Sequence, residues 1–338
     1  MTLLGGTGSL GALIAALASL LAGIVVAPSG AGPPHAPERT RAHVRSVARA
    51  THHGAFAVGI RALTFVDRSR TVHYPGQKPG PRTLVTVIRY PAIGPASSVD
   101  RRGATPARGA GPFPLVVFGH GFAVTPGPYA SLLQAWAAAG YVVAAPIFPL
   151  GNAHAPGGPN ESDIVNQPRD MSFVISHMLT LSAGHRGLFA GLIDRREIAV
   201  SGQSDGGETA LAVAYDRSFI DRRVRAAVIL SGAQLPGAGF AFPTSSPPLL
   251  AAQGTADTTN RPVNTYDFFD LAPRPKFLLK LLGAQHLPPY TTEQPQLGVV
   301  ERVTIAFLDR YLENEPQAMN RIVASGNVSG VASLQADP

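Results

Sequence analysis

The stretch AVSGQSDGGETA at residues 199–210 surrounds a serine with glycines, and it constrains the fold more than any other part of the chain. Residues 197–200 are typical of a short buried strand, and residues 208–215 are rich in alanine and other helix formers. A serine in a tight strand-to-helix turn adopts a strained backbone, and side chains two residues away on either side would collide with neighbouring backbone. G-x-S-x-G alone arises by chance in a glycine-rich chain, but its flanks here indicate that Ser204 is a displayed nucleophile.

The rest of the chain alternates strand-like and helix-like patterns. The runs FPLVVFGH at 113–120 and YVVAAPIF at 141–148 are continuously apolar, as expected of strands buried on both faces. The other predicted elements are strands at 56–66, 82–90, 224–232, 248–257 and 276–286, and helices at 129–139, 169–181 and 294–312. This alternation predicts an α/β fold with a mostly parallel central sheet and helices on both faces. Ligands of such sheets bind beyond the carboxyl ends of the strands.

A serine nucleophile needs a histidine that takes its proton and an acid that orients the histidine. In folds with this serine turn, the chain order is Ser, then Asp or Glu, then His. Asp257 and His286 each follow an apolar strand in that order, and His286 is the last histidine of the chain. We therefore predict a catalytic triad of Ser204, Asp257 and His286. Asp257 could instead only cap a turn and His286 could be a surface residue, while Asp267 and Asp270 are rival acids on a less strand-like stretch.

The negative oxygen that forms during attack on a carbonyl needs N–H donors that are fixed in advance. We expect one from the backbone of Asp205, directly after the nucleophile, and one from Phe122, in the loop after the first apolar strand. The alternative for this loop is that His120-Gly121 forms an ordinary turn. Gly121, Phe122 and Gln203 are expected to contact the substrate. Because the Asp205 carboxylate would oppose the negative oxygen, we expect it to turn aside toward backbone or an arginine.

The N-terminal region has the pattern of a segment that directs export from the cell. Residues 10–27 (LGALIAALASLLAGIVVA) carry no charge and are typical of the apolar core of a secretory signal, although a buried core helix is an alternative. We predict a signal peptide or membrane anchor over 1–31, a flexible linker over 32–54, a catalytic domain over 55–315 and a C-terminal tail over 316–338. The protein is thus expected to be secreted or associated with the cell envelope, with transient membrane contact through its N-terminal segment.

Composition excludes several kinds of site. The chain has no cysteine, so disulfides, thiolate metal sites and cysteine nucleophiles are excluded. Its net charge is +7, but no run of Lys and Arg stands out in the folded part, so we predict no nucleic-acid partner. We also expect the protein to be a monomer. The loop at 151–168 holds His154, Asn160 and Asp163, which could rim the substrate or form a plain surface loop. Their spacing matches no metal-ligand motif, so we predict no metal site.

These motifs together resemble the α/β-hydrolase superfamily, and within it the dienelactone-hydrolase-like and platelet-activating-factor-acetylhydrolase-like esterases. The matching pieces span about residues 55–315 and are VGIRALTFVDRSR (58–70), TVIRYPA (86–92), VVFGHGF (116–122), NQPRDMSFVISHML (166–179), VSGQSDGG (200–207), GTAD (254–257) and GAQH (283–286). The resemblance implies a carboxylic ester hydrolase that works through an acyl-enzyme, without a metal or organic cofactor, on a small-molecule or polymeric ester.

Secreted cutinases and polyester hydrolases share this fold and, with lipid-ester hydrolases, are the nearest specialisation. They commonly carry a methionine after the nucleophile, where this chain has Asp205, and an aromatic clamp where it has AQL at 233–235. Dienelactone hydrolases proper use a cysteine nucleophile, which this chain lacks. Two further functions stay open, namely amide cleavage and ligand binding by a non-catalytic exported protein on the same scaffold.

Overall fold

The computed structural model describes residues 55–235, 242–243 and 245–338. The predicted signal peptide or anchor (1–31) and linker (32–54) lie outside the described residues. Within the described ranges, no helix combines the length and the apolar character that a membrane span requires.

Ten strands and six α-helices make up the regular structure of the described ranges. The strands are β1 (Ala57–Val72), β2 (Gly80–Ala92), β3 (Arg101–Arg102), β4 (Phe113–Gly119), β5 (Val142–Pro146), β6 (Ile193–Gln203), β7 (Ala226–Leu230), β8 (Leu249–Gly254), β9 (Lys276–Leu281) and β10 (Ala332–Asp337). The helices are α1 (Ala130–Ala138), α2 (Gln167–Ala183), α3 (Asp205–Tyr215), α4 (Pro262–Leu271), α5 (Gln296–Leu312) and α6 (Ala318–Gly326). Short 3₁₀ helices lie at Arg108–Ala110, Glu161–Asn166 and Pro288–Tyr290.

All ten strands belong to one sheet, in the order β10-β9-β8-β7-β6-β4-β5-β2-β1-β3. The six strands from β9 to β5 run parallel, whereas the pairs β10–β9, β2–β5 and β1–β2 are antiparallel. From β4 the chain moves to β5 on one side and later to β6 on the other, so the strand order reverses beside β4. Crevices at such reversals are the usual ligand sites of α/β sheets. The predicted α/β fold with a mostly parallel sheet is confirmed.

The sheet separates two hydrophobic cores, because successive side chains of a strand point to opposite faces. On β4, Leu115 and Val117 belong to one core, together with residues of α2 and α3. Val116 and Phe118 belong to the other core, together with residues of α1 and α5. Burial on both faces explains why β4 is continuously apolar in sequence.

The C-terminal region adds to the sheet. Residues 316–338, set apart above as a tail, contain α6 and β10. Strand β10 pairs antiparallel with β9 from Ala332↔Leu281 to Asp337↔Lys276, and Ile322 of α6 is buried in the second core. The described fold therefore continues past the predicted boundary at 315. Its edge strand satisfies backbone groups of β9 that would otherwise lie unpaired.

Candidate active site

Ser204 lies between the end of β6 and the first residue of α3, at the carboxyl edge of the parallel strands. Its backbone has φ 56° and ψ −126°, in the region where a side chain is rarely found. The Ser204 N–H donates to the carbonyl of Leu230 at the end of β7, which holds the turn against the sheet. Strain of this kind, fixed by surrounding structure, is typical of functional residues.

The two glycines of the motif allow three backbone segments to meet at this turn. A Cβ atom on Gly202 would lie 2.0 Å from the carbonyl oxygen of Gly206, and one on Gly206 would lie 2.0 Å from the carbonyl oxygen of Gly119. Real Cβ atoms do not approach backbone so closely. Glycine at both positions therefore lets α3 begin directly against the ends of β6 and β4.

The three residues predicted as a triad lie in one hydrogen-bonded line. The Nε2 atom of His286 is 2.9 Å from the Oγ atom of Ser204. The Nδ1 atom of His286 is 2.8 Å from the Oδ2 atom of Asp257. Asp257 follows β8 and His286 follows β9, so neighbouring parallel strands deliver both side chains to the edge where Ser204 lies. The rival acids Asp267 and Asp270 lie on α4, and neither bonds to His286.

Asp257 both caps a turn and holds the imidazole. Its Oδ1 atom accepts the backbone N–H groups of Thr259 and Asn260, each at 2.9 Å, and its Oδ2 atom also accepts the side-chain amide of Gln253 at 3.1 Å. Burial alone would raise the pKa of Asp257, but the contacts with His286, Asn260 and Gln253 outweigh it and hold the pKa below its ordinary value. The group is thus a carboxylate at neutral pH, suited to accept the Nδ1 proton of the imidazole.

The loop after β4 passes directly beside the nucleophile. A Cβ atom on Gly121 would lie 3.2 Å from the Cβ atom of Ser204, so a side chain at this position would crowd the nucleophile. Phe122 follows in that loop and is half-buried, and the next residue, Ala123, has φ 54°. The backbone N–H groups of Phe122 and Asp205 donate to no other described residue. Both expected oxyanion donors therefore lie in segments that border Ser204.

His120 is a buried residue whose part in this loop could not be read from the sequence. Its Nε2 atom accepts the backbone N–H of Phe148 at 3.0 Å, and its Nδ1 atom lies 2.8 Å from the carbonyl oxygen of Gly121, to which it donates. Burial lowers the pKa of His120 to about 4, so the ring is neutral at physiological pH. The ring ties the loop after β4 to the segment that follows β5.

The Asp205 carboxylate differs from its expected surroundings. It is 6% exposed, and its Oδ2 atom has no hydrogen-bond partner among the described residues. Burial, together with the charge of Glu161, raises its pKa from 3.8 to about 6, although its own backbone N–H and the charge of His286 act in the opposite direction. Among the described residues, neither a bond to neighbouring backbone nor an arginine partner is found for this carboxylate, in contrast to the expectation.

Replacing Asp205 with asparagine is expected to raise the free energy of unfolding by about 3 kcal/mol at pH 8 and to change it little at pH 4. The pKa of this carboxyl is 3.8 as an ordinary aspartate and about 6 in the folded protein. Between pH 3.8 and pH 6 the folded protein therefore keeps a proton on Asp205 that the unfolded chain loses. As pH rises through this range, the carboxyl of the folded protein becomes charged while buried, and the fold loses stability. Urea unfolding at pH 4, 6 and 8 measures the effect. Asp267→Asn, at an exposed position, is the control, and a gain equal at all three pH values would contradict the prediction.

Gln203 lies where the sequence predicted a substrate contact, but its side chain is directed into the protein. It is 1% exposed, and its amide forms hydrogen bonds with Tyr129 and with His286. The position directly before the nucleophile was the only signal in the sequence. Gln203 is the last residue of β6, so its side chain points to the face opposite that of the preceding residue. It enters the region between the loop after β4 and the loop after β9.

The loop at 151–168 uses its predicted polar residues mainly for structure. The Asn160 side chain accepts the backbone N–H of Ser162 at 3.1 Å and caps the 3₁₀ helix that follows. Asp163 is buried and pairs with Arg82, while His154 is exposed. In the part of the chain that the structure describes, no group of three or more His, Asp or Glu side chains could hold a metal ion.

Comparison with known families supports this architecture. The chain matches the family model of chlorophyllase over residues 103–256. The matched segment contains β4 to β8 and Ser204, and it ends one residue before Asp257. A search of curated proteins found no match. The narrower esterase branch that the sequence motifs resemble stays a prediction.

The matched family is one of the α/β hydrolases, and the sheet has the strand order, the parallel centre and the flanking helices that such enzymes share. The serine turn lies at the reversal of strand order, on the edge where these folds place their sites. Over residues 103–256 the chain is thus similar to a family of the α/β-hydrolase superfamily, and its fold is consistent with that superfamily.

Proposed function

We propose that the protein is a serine carboxylic ester hydrolase that works through an acyl-enzyme, with Ser204 as nucleophile, His286 as base and Asp257 as the orienting acid. The observation that carries this proposal is the line from Ser204 Oγ to His286 Nε2, and from His286 Nδ1 to Asp257 Oδ2. A serine hydroxyl is a weak nucleophile unless a base takes its proton as it attacks. The match to the chlorophyllase model favours ester hydrolysis among the reactions that such a line can perform.

In the acylation half, the neutral imidazole of His286 accepts the Ser204 hydroxyl proton while Oγ attacks the ester carbonyl carbon. The carbonyl π pair moves onto oxygen and forms a tetrahedral intermediate. When that pair returns, the bond to the alcohol oxygen breaks, and His286 Nε2–H gives its proton to the leaving alcohol. Asp257 keeps the second imidazole proton on Nδ1 and stabilises the positive ring, without itself taking the proton.

In the deacylation half, a water molecule replaces the alcohol. His286 accepts one water proton as the water oxygen attacks the acyl carbon, and it then returns that proton to Ser204 Oγ as the acyl–serine bond breaks. The products are the free acid and the original hydroxyl. In both halves the negative oxygen is stabilised by the backbone N–H groups of Asp205 and Phe122, and each such donor contributes about 3 kcal/mol to barrier lowering. The N-terminus of α3 adds its dipole at the same place.

A fluorophosphonate ester is expected to modify Ser204 and to abolish hydrolysis of p-nitrophenyl butyrate in parallel. The reagent copies the tetrahedral intermediate and reacts only with a serine whose proton is removed by a positioned base. Peptide mass spectrometry locates the adduct, and Ser218→Ala, an exposed serine beyond α3, is the matched control that should label normally. Absence of hydrolysis and of labelling together would favour the alternative of a non-catalytic binding protein.

The same assay decides among the substrate classes that the triad permits. We propose that esters are cleaved faster than matched p-nitroanilides. Rates measured on a series from acetate to long-chain esters and polyester film define the acyl preference. Activity on polyester film alone would support the cutinase-like specialisation.

A further inference from the structure

A buried hydrogen-bonded line runs behind Ser204 and joins the loop after β4 to the loop after β9. The backbone N–H of Gly121 donates to the hydroxyl of Tyr129 at 3.3 Å. That hydroxyl donates to the Oε1 atom of Gln203 at 2.7 Å. The Nε2 atom of Gln203 donates to the carbonyl oxygen of His286 at 3.1 Å. The side chain directly before the nucleophile thus links the two loops that carry the oxyanion donor and the base.

The direction of each bond in this line is fixed by chemistry. The Gly121 amide can only donate and the His286 carbonyl can only accept. Burial raises the pKa of Tyr129 well above its ordinary value, so its hydroxyl keeps its proton and donates to Gln203. The Gln203 carbonyl oxygen then faces Tyr129 and its amide nitrogen faces His286. Tyr129 and Gln203 are 0% and 1% exposed, so water does not replace either bond.

The line also touches the imidazole itself. The Nε2 atom of Gln203 lies 3.3 Å from the Nε2 atom of His286, the same ring atom that faces Ser204. A Cβ atom on Gly121 would lie 2.9 Å from the Oε1 atom of Gln203, so the Gln203 amide also packs directly against the loop after β4. Gln203 therefore restrains His286 at both its backbone and its ring.

We propose that Gln203, supported by Tyr129, is a positioning residue that fixes the distance between the oxyanion loop and the imidazole of His286. This proposal rests on the ester hydrolase function proposed above. An amide can accept from Tyr129 and donate to the His286 carbonyl at once, and it does so at any pH. A carboxylate could not donate, an ammonium group could not accept, and an apolar side chain would leave buried groups unpaired.

Gln203→Met and Tyr129→Phe keep the shape of each side chain but break the line. Each is expected to lower kcat by about 10- to 100-fold and to change KM by less than about 3-fold, because the reacting groups lose their fixed geometry while substrate contacts remain. The double variant is expected to be no slower than the slower single variant, since both substitutions interrupt the same line. Gln134→Met is the control and should keep wild-type kcat, because the half-buried Gln134 amide donates to the carbonyl of Ser97, away from the line.

Hydrogen–deuterium exchange tests the same line without relying on activity. Peptides covering 282–292 are expected to exchange faster in Gln203→Met than in wild type or in Gln134→Met. Unchanged kcat in both single variants, additive losses in the double variant, or unchanged exchange over 282–292 would each overturn the positioning role. If wild type cleaves no ester, the proposed function fails, and the exchange result still decides whether Gln203 holds the histidine loop.

Discussion

Ser204→Ala is expected to lower kcat/KM for p-nitrophenyl butyrate by at least ~10⁴-fold, with the melting temperature close to that of wild type. The substitution removes the only atom that forms the acyl bond but leaves the φ 56° backbone and the hydrogen bond from residue 204 to Leu230 in place. His286→Ala is expected to cost about as much, and the double variant no more than either single one, because the two groups act as one unit.

The acid of the triad can be assigned by the same measurement. Asp257→Asn is expected to lower kcat/KM by ~10⁴-fold, because an amide at this position favours the imidazole tautomer that cannot accept the serine proton. Asp267→Asn and Asp270→Asn are the matched controls and should stay within about 3-fold of wild type, since α4 holds both away from His286. A loss in either control comparable to that in Asp257→Asn would overturn the assignment of Asp257 as the acid. An active Ser204→Ala protein would overturn the assignment of Ser204 as the nucleophile.

The parts of the fold that were predictable share one physical property, which is a pattern that short stretches of sequence carry by themselves. Strands β4 and β5 are apolar throughout because both of their faces are buried, so their existence follows from local composition. The serine turn is marked by the glycines that its close backbone contacts require. Asp257 and His286 follow apolar strands of a parallel sheet, and chain order then brings them to the same edge.

The missed elements have weaker local patterns. Strand β10 lies at the sheet edge with mixed exposure along ASLQAD, so it lacks the apolar run that marks an inner strand. Helix α4 is half-buried, and its apolar residues do not stand out from the loops around it. The conformation of such segments is determined by the residues they pack against, and the local sequence pattern does not identify those residues.

The polar contacts that complete the site also could not be predicted, because each joins residues far apart in the chain. Gln203 bonds to Tyr129, 74 positions away, and to His286, 83 positions away. His120 looked like part of a turn, yet its ring binds the backbone at Phe148. Asp205 was expected to bond to backbone or to an arginine, but it is buried near the carboxyl groups of Glu161 and Glu208.

The largest of these distant contacts is a buried ion cluster centred on Arg82 of β2. Its guanidinium group bonds to both oxygens of Asp163 at 2.9 and 2.6 Å and to both oxygens of Asp170 at 2.7 Å. Arg70 of β1 also lies 2.8 Å from Asp170. The cluster joins the antiparallel strands to the start of α2 and to the 3₁₀ helix that carries Glu161, near Asp205.

Arg82→Met is expected to lower the free energy of unfolding by about 3 to 5 kcal/mol at pH 8, because it leaves two buried carboxylates without their main partner. Burial acts to raise the pKa of Asp170, and without Arg82 that effect is less opposed. The Asp170 carboxyl then holds its proton more strongly in the folded than in the unfolded chain, so the loss of stability is smaller at pH 5 than at pH 8. Urea unfolding at the two pH values measures both the loss and its pH dependence.

Two variants separate lost charge pairing from lost packing. Arg68→Met, at an exposed position of β1, should change stability by less than about 0.5 kcal/mol. Adding Asp163→Asn and Asp170→Asn to Arg82→Met should recover most of the loss at pH 8, since no uncompensated charge is then buried. If the triple variant is no more stable than Arg82→Met, the guanidinium group stabilises this region by filling space, and the charge-pairing account of the cluster is wrong.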